Sequence, residues 1–105
     1  MINAKGLKII IVCTFGAGSS QLLKVNVDTA IEELGVENVD LSVCDSGSYR
    51  GERCDGIITT TAHEEMVKGH PYAKSYVAVT GIFNQADIKN KVRKLLVDLG
   101  VEIPD

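Results

Sequence analysis

Apolar and polar positions alternate along this chain in blocks of two kinds. Lys8 precedes a continuous apolar run, Ile9-Ile10-Ile11-Val12, which reads as a strand over 8–12 that is buried on both faces. After a small-residue stretch, Leu23, Val27, Ala30, Ile31 and Leu34 recur at helical spacing, and Gly35 supplies a left-handed stop. Leu41 and Val43 mark a second strand over 40–43, and Ile57–Thr61 a third. A loop and short helix carry residues 63–67 and are broken by Gly69-His70-Pro71, because proline restricts the residue before it. Ser75–Val79 reads as a fourth strand. Asn84 opens the last helix, with Asp87 three residues on as its capping pair. Ile88, Val92, Leu95, Leu96 and Leu99 form its apolar face, and Gly100 closes it. Residues 1–7 read as a lead-in ending at Gly6, and 45–56 as a polar, glycine-rich loop.

Strands that alternate with helices imply a parallel sheet flanked by helices. Right-handed crossovers then gather the carboxyl ends of the strands on one rim, where a ligand sits at the topological switch point. The end of the first strand falls there.

That strand runs into Cys13-Thr14-Phe15-Gly16-Ala17-Gly18-Ser19-Ser20. Gly16 and Gly18 permit a sharp turn and close approach to a bound group. Ser19 or Ser20 is a suitable helix cap. Loop amides and the start of the next helix form a nest that suits a phosphate, and a thiol placed there has a depressed pKa. Cys13 is therefore read as a nucleophile that carries a phosphoryl group, against the plainer reading of a small core residue.

Other phosphate motifs fit the loop less well. A Walker loop needs a lysine that is absent, and Gln21 stands where a dinucleotide fingerprint needs its third glycine. A cysteine phosphatase resembles Cys-x5-Arg, but Ser19 occupies the arginine position. The missing guanidinium favours a carrier over a hydrolase.

The 105 residues allow one domain, 1–105, and the net charge of −3, without a basic stripe, disfavours nucleic acid as a partner. No apolar run is long enough to span a bilayer and the start does not read as a signal peptide, so a cytoplasmic location is expected. Three cysteines, Cys13, Cys44 and Cys54, with no Cys-x-x-Cys pair make a poor disulfide framework and a poor zinc site. No metal or cofactor is expected. Thr61 and His63, just after the third strand, are candidate rim contacts, although a solvated loop histidine is the plainer reading of His63. Asp45 and Ser46 follow the second strand and read as loop or cap, and His70 as a turn residue.

These residues resemble the IIB component of the bacterial phosphoenolpyruvate-dependent sugar phosphotransferase system, the ascorbate-type branch most nearly, with the galactitol-type as a cousin. Such proteins are similar in a first strand ending Val-Cys-Gly-x-Gly-x-Gly-Ser-Ser and in a lysine-bearing helix, here Val12 to Ser20 and Lys24. The likeness continues through Gly47-Ser48-Tyr49, Asp55 to Thr59 and Ala86-Asp87, and departs at Thr14-Phe15. It implies a relay. A IIA protein presents a phosphohistidine, Cys13 attacks it, and the group passes to a sugar held by a membrane IIC component at the inner face of the membrane. The expected fold is a three-layer α/β domain with a four-stranded, Rossmann-like parallel sheet in the order 2-1-3-4 and helices on both faces. Two alternatives stand beside the carrier: a non-catalytic docking or regulatory module of the same fold, and a slow cysteine phosphatase.

Overall fold

Ile9, Ile10, Ile11 and Val12 are all fully buried, and successive side chains of a strand point to opposite faces. Ile9 and Ile11 enter one apolar cluster, and Ile10 and Val12 the other. A strand buried on both sides has to lie inside the sheet. The computed structural model, which describes residues 2–12, 17–44, 51, 53–81 and 83–103 (backbone only for 17–20), places it so. Strands β1 (Ile2–Val12), β2 (Val36–Cys44), β3 (Gly56–Thr60) and β4 (Ser75–Val79) form one parallel sheet in the order β2-β1-β3-β4. This is the expected order.

Helix α1 (Ala17–Glu33) connects β1 to β2. A 3-10 turn (Thr61–His63) and the one-turn helix α2 (Glu64–Val67) follow β3, and α3 (Gln85–Asp98) follows β4. Leu23, Val27, Ala30 and Ile31 of α1 and Ile88, Val92, Leu95 and Leu96 of α3 pack on the same face, with Ile9, Ile11, Ile58, Val77 and Val79 beneath them. The opposite face is smaller. Ile10, Val12, Cys44, Cys54 and Ile57 meet Val67 there, with Met66, Ala73 and Tyr76 at its border. Helices thus lie on both faces, but among the described residues the second layer is one short helix with its flanking loops.

Local signals end the helices where the glycines predict. Gly35 and Gly100 adopt φ of 73° and 96°, a region only glycine enters cheaply. At the start of α3 the Asn84 side chain accepts from the Asp87 amide at 3.2 Å. The Asp87 carboxylate in turn accepts from the Thr80 amide at 2.8 Å and from the Thr80 hydroxyl at 3.2 Å. One short hydrogen-bonded chain therefore fixes the β4–α3 connection.

The strands run further than the sequence pattern suggests. Residues 2–7 belong to β1 rather than to a lead-in, and β2 begins at Val36 rather than Asp40. The reason is an irregularity: the β1–β2 register shifts between Asn3 and Leu7, with Lys5 at φ 58° and Gly6 at φ 78°. Asn3 closes the gap by accepting from the Lys5 amide at 2.7 Å and from Asn38 Nδ2 at 3.1 Å. A bulge destroys strict alternation, so this part of the strand does not read as one. Thr61 leaves β3 and opens the 3-10 turn. Ser19 and Ser20 lie inside the first turn of α1 rather than capping it, since the helix starts at Ala17.

Candidate active site at the carboxyl rim of the sheet

The chain leaves β1 in one direction and returns to the other side of it. From β1 it crosses through α1 to β2, then passes back to β3, which lies against the opposite edge of β1. The split between β1 and β3 is the switch point where a parallel sheet offers a crevice at its carboxyl end. β1 reaches that rim at Val12, and α1 departs from it at Ala17. Cys13, Thr14, Phe15 and Gly16 connect them and lie outside the described residues. So do the side chains of Ala17, Gly18, Ser19 and Ser20, together with Asp45, Ser46 and the stretch Gly47-Ser48-Tyr49.

Part of the framework around the loop is described. α1 is 17 residues long and has no acidic residue in its first turn, so nothing there offsets the positive end of its dipole. Its first amides have no partner within the helix and are directed toward the rim. On the β3 side, two buried threonines end the strand. Thr59 donates from Oγ1 to the Val12 carbonyl at 2.9 Å, across from β3 to the last residue of β1. Thr60, pointing to the opposite face, places its Oγ1 2.9 Å from His63 Nδ1.

His63 is half-buried, and this contact fixes its ring against the end of β3. Thr61 is exposed on the same rim. His70 belongs elsewhere. Its Nδ1 accepts from the Tyr72 and Ala73 amides at 3.2 and 3.1 Å, so it shapes the turn ahead of β4, in agreement with the sequence reading. Cys44 and Cys54 are buried in the smaller cluster, away from solvent.

A connection not foreseen from sequence ties the two large helices together at this end. Gln85 Nε2 donates to the Asn26 carbonyl at 3.0 Å, so α3 starts against the middle of α1. Exposed apolar side chains lie nearby in sequence on both: Leu22 and Val25 of α1, and Phe83 just before α3. No periodic signal could have exposed the Gln85 link, because it joins residues 59 apart.

Among the described residues, the size of a hollow does not single out the carboxyl rim. A hollow of about 520 Å³ is lined by Val97, Gly100, Val101, Glu102 and Ile103 near the amino ends of the strands, with no nucleophile. A smaller one, about 220 Å³, runs along β4 and includes Thr61, Glu64, Tyr76, Lys91 and Lys94. Among the described residues no group of three or more histidine, cysteine, aspartate or glutamate side chains is arranged for a metal ion.

Comparison with known proteins bears on the family and the fold. The model of the family "PTS system, Lactose/Cellobiose specific IIB subunit" matches residues 8–94, from the start of the apolar run in β1 into α3. The chain belongs to the phosphotransferase-system IIB family. A curated relative, the ascorbate-specific PTS system EIIB component of Shigella dysenteriae serotype 1 (strain Sd197), is 31% identical over 94 residues, covering 86% of this chain and 89% of that protein. Among solved structures, the lactose-specific IIB component domain of Streptococcus pneumoniae aligns with a TM-score of 0.58 over 90% of this chain and 98% of that one. At 14% identity that match shows the shared fold alone. IIB proteins are phosphotransferases of the sugar-uptake system, working with IIA and IIC components, and this chain is one of them. No described helix is long and apolar enough to cross a membrane.

Proposed function

We propose that this chain, residues 1–105 acting as one IIB domain, is a phosphocysteine carrier with Cys13 as its nucleophile. The observation that carries the reading is positional. Residue 13 follows the end of an inner strand at the switch point and precedes the amino terminus of a long helix with no acid in its first turn. Both features favour a thiolate and the phosphoryl group it would carry.

The relay balances as two displacements at phosphorus. The Cys13 thiolate forms an S–P bond while the P–N bond to a histidine of IIA breaks, its electron pair returning to the imidazole. A sugar hydroxyl bound by IIC then attacks phosphorus and loses its proton, and the thiolate departs with the S–P electrons. The thiolate serves as nucleophile in the first step and leaving group in the second. Amides of Thr14 to Ser20 hold the phosphoryl oxygens, so catalysis is mostly positioning and fixed electrostatics. Thr61 and His63 are rim contacts for the group or the donor protein. Phe15 shapes the loop or touches a partner. No cofactor enters either step. The ascorbate-specific relative supports an ascorbate-like sugar, delivered while the domain is docked on IIC at the inner face of the membrane.

The test is intact-protein mass spectrometry after incubation with phosphoenolpyruvate, the general phosphotransferase proteins and an ascorbate-type IIA. One added phosphoryl group, absent from a folded Cys13→Ser variant and retained by Cys44→Ser and Cys54→Ser, is the expected result. Transfer to Cys13→Ser would sink the assignment. No added mass with several IIA proteins would leave a docking module.

A further inference from the structure

The Thr59 hydroxyl is a costly thing to bury at the centre of a sheet. Thr59 is fully buried on β3, where its neighbours Ile57 and Ile58 are equally buried and wholly apolar. Valine would fill nearly the same volume with no polar atom to satisfy. The hydroxyl is satisfied by one specific group, the Val12 carbonyl, at 2.9 Å.

That bond sits just beyond the last β1–β3 partners among the described residues. These partners run Ile9↔Gly56, Ile10↔Ile57 and Ile11↔Ile58. On either side pairing continues, to Val12↔Cys44 between β1 and β2 and to Thr60↔Val79 between β3 and β4. At the last residue of β1 a side chain therefore does the work of a ladder bond. The Val12 carbonyl and the Cys13 amide belong to one planar peptide, so holding the carbonyl sets the plane from which the chain departs toward Cys13.

We propose that Thr59 is a positioning residue for Cys13. Its hydroxyl orients the Val12–Cys13 peptide and so sets where the thiol lies relative to the amides of the loop and of α1. It touches neither phosphorus nor sulfur and acts through β1. The proposal rests on Cys13 being the nucleophile, and it is local. A small rotation of that peptide displaces the thiol, and displacements near 1 Å cost on the order of a hundredfold in rate.

The experiment compares Thr59→Val and Thr59→Ala, which remove the hydroxyl, with Thr59→Ser, which keeps it and removes a methyl. Circular dichroism confirms which variants are folded at the assay temperature, and alanine stands in should the valine variant fail to fold. Two readouts are taken: the rate of phosphorylation by phospho-IIA, and the pH midpoint of Cys13 alkylation by iodoacetamide, followed by peptide mass spectrometry. Val and Ala are expected to slow phosphorylation by about tenfold or more and to raise the alkylation midpoint, while Ser stays near the parent protein in both. A parent-like midpoint in a folded Val or Ala variant would overturn the proposal. So would Ser behaving like Val, since packing rather than the hydroxyl would then be responsible. Should the parent protein itself accept no phosphoryl group, the carrier reading fails while the alkylation comparison still decides the role of Thr59.

Discussion

At Gly56 the sheet is met closely by Leu95 of α3 and by Leu99 just past its end, and substituting it measures how tightly that layer is seated. Its backbone is not in the left-handed region, so alanine meets no dihedral penalty. The constraint is steric. A Cβ there would lie 2.9 Å from Leu99 Cδ1 and 3.1 and 3.3 Å from the two Cδ atoms of Leu95. Leu99 is only partly buried and can rotate away, whereas Leu95 is fully buried and has to give by a few tenths of an ångström within a packed layer. Overpacking of this kind costs about 1–3 kcal/mol, and the loss of glycine's freedom in the unfolded chain returns about 0.4–1 kcal/mol. With one of the two leucines free to move, the net for Gly56→Ala is about 1 kcal/mol of destabilisation, or a melting temperature lower by about 4–8 °C for a domain of this size. Thermal unfolding followed by circular dichroism reads it directly. Combining Gly56→Ala with Leu99→Ala, which deletes the nearest methyl, is expected to cost less than the sum of the two single changes. An unchanged or raised melting temperature in Gly56→Ala, or strict additivity in the pair, would refute the claim that α3 is seated against β3 at this point.

Asn84→Ala removes the acceptor for the Asp87 amide and is expected to cost about 1 kcal/mol in urea unfolding, with Asn84→Asp close to neutral. Thr60→Val breaks the contact with His63 Nδ1; the chemical shifts of the His63 ring are expected to move, and unchanged shifts would show that the contact does not hold the ring. The exposed Glu65–Lys68 pair raises the Lys68 pKa, first through the hydrogen bond from the ammonium and then through the carboxylate charge. A raised value in the folded state means that any stabilisation is complete below the ordinary lysine pKa and is lost as pH rises through the folded value. Because the pair is exposed, that stabilisation is small, and Lys68→Met is expected to leave the neutral-pH melting temperature nearly unchanged; a clear drop would show the pair to be worth more than surface ion pairs usually are.

By itself, the sequence determined what local chemistry controls. Four consecutive apolar residues at 9–12, running into a glycine-rich stretch, fit a strand buried on both faces, and the helical spacing of Leu23, Val27, Ala30 and Ile31 allows one apolar stripe. Gly35, Gly100 and the Asn84–Asp87 pair act within a few residues of themselves, so the ends of α1 and α3 were legible. So was the place of residue 13 between a buried strand and a helix start, which is a statement about adjacent residues. Tertiary structure decided whatever depends on residues far apart in the chain. The bulge at Lys5-Gly6 hid half of β1 because only Asn38, 35 residues from Asn3, completes its hydrogen bonding. Gln85 reaches α1 across 59 residues, and Thr59 reaches Val12 across 47. Threonine suits any strand end, so its side chain in the sequence says nothing of a partner. Only the packing of β3 against β1 brings that hydroxyl to the carbonyl that precedes Cys13.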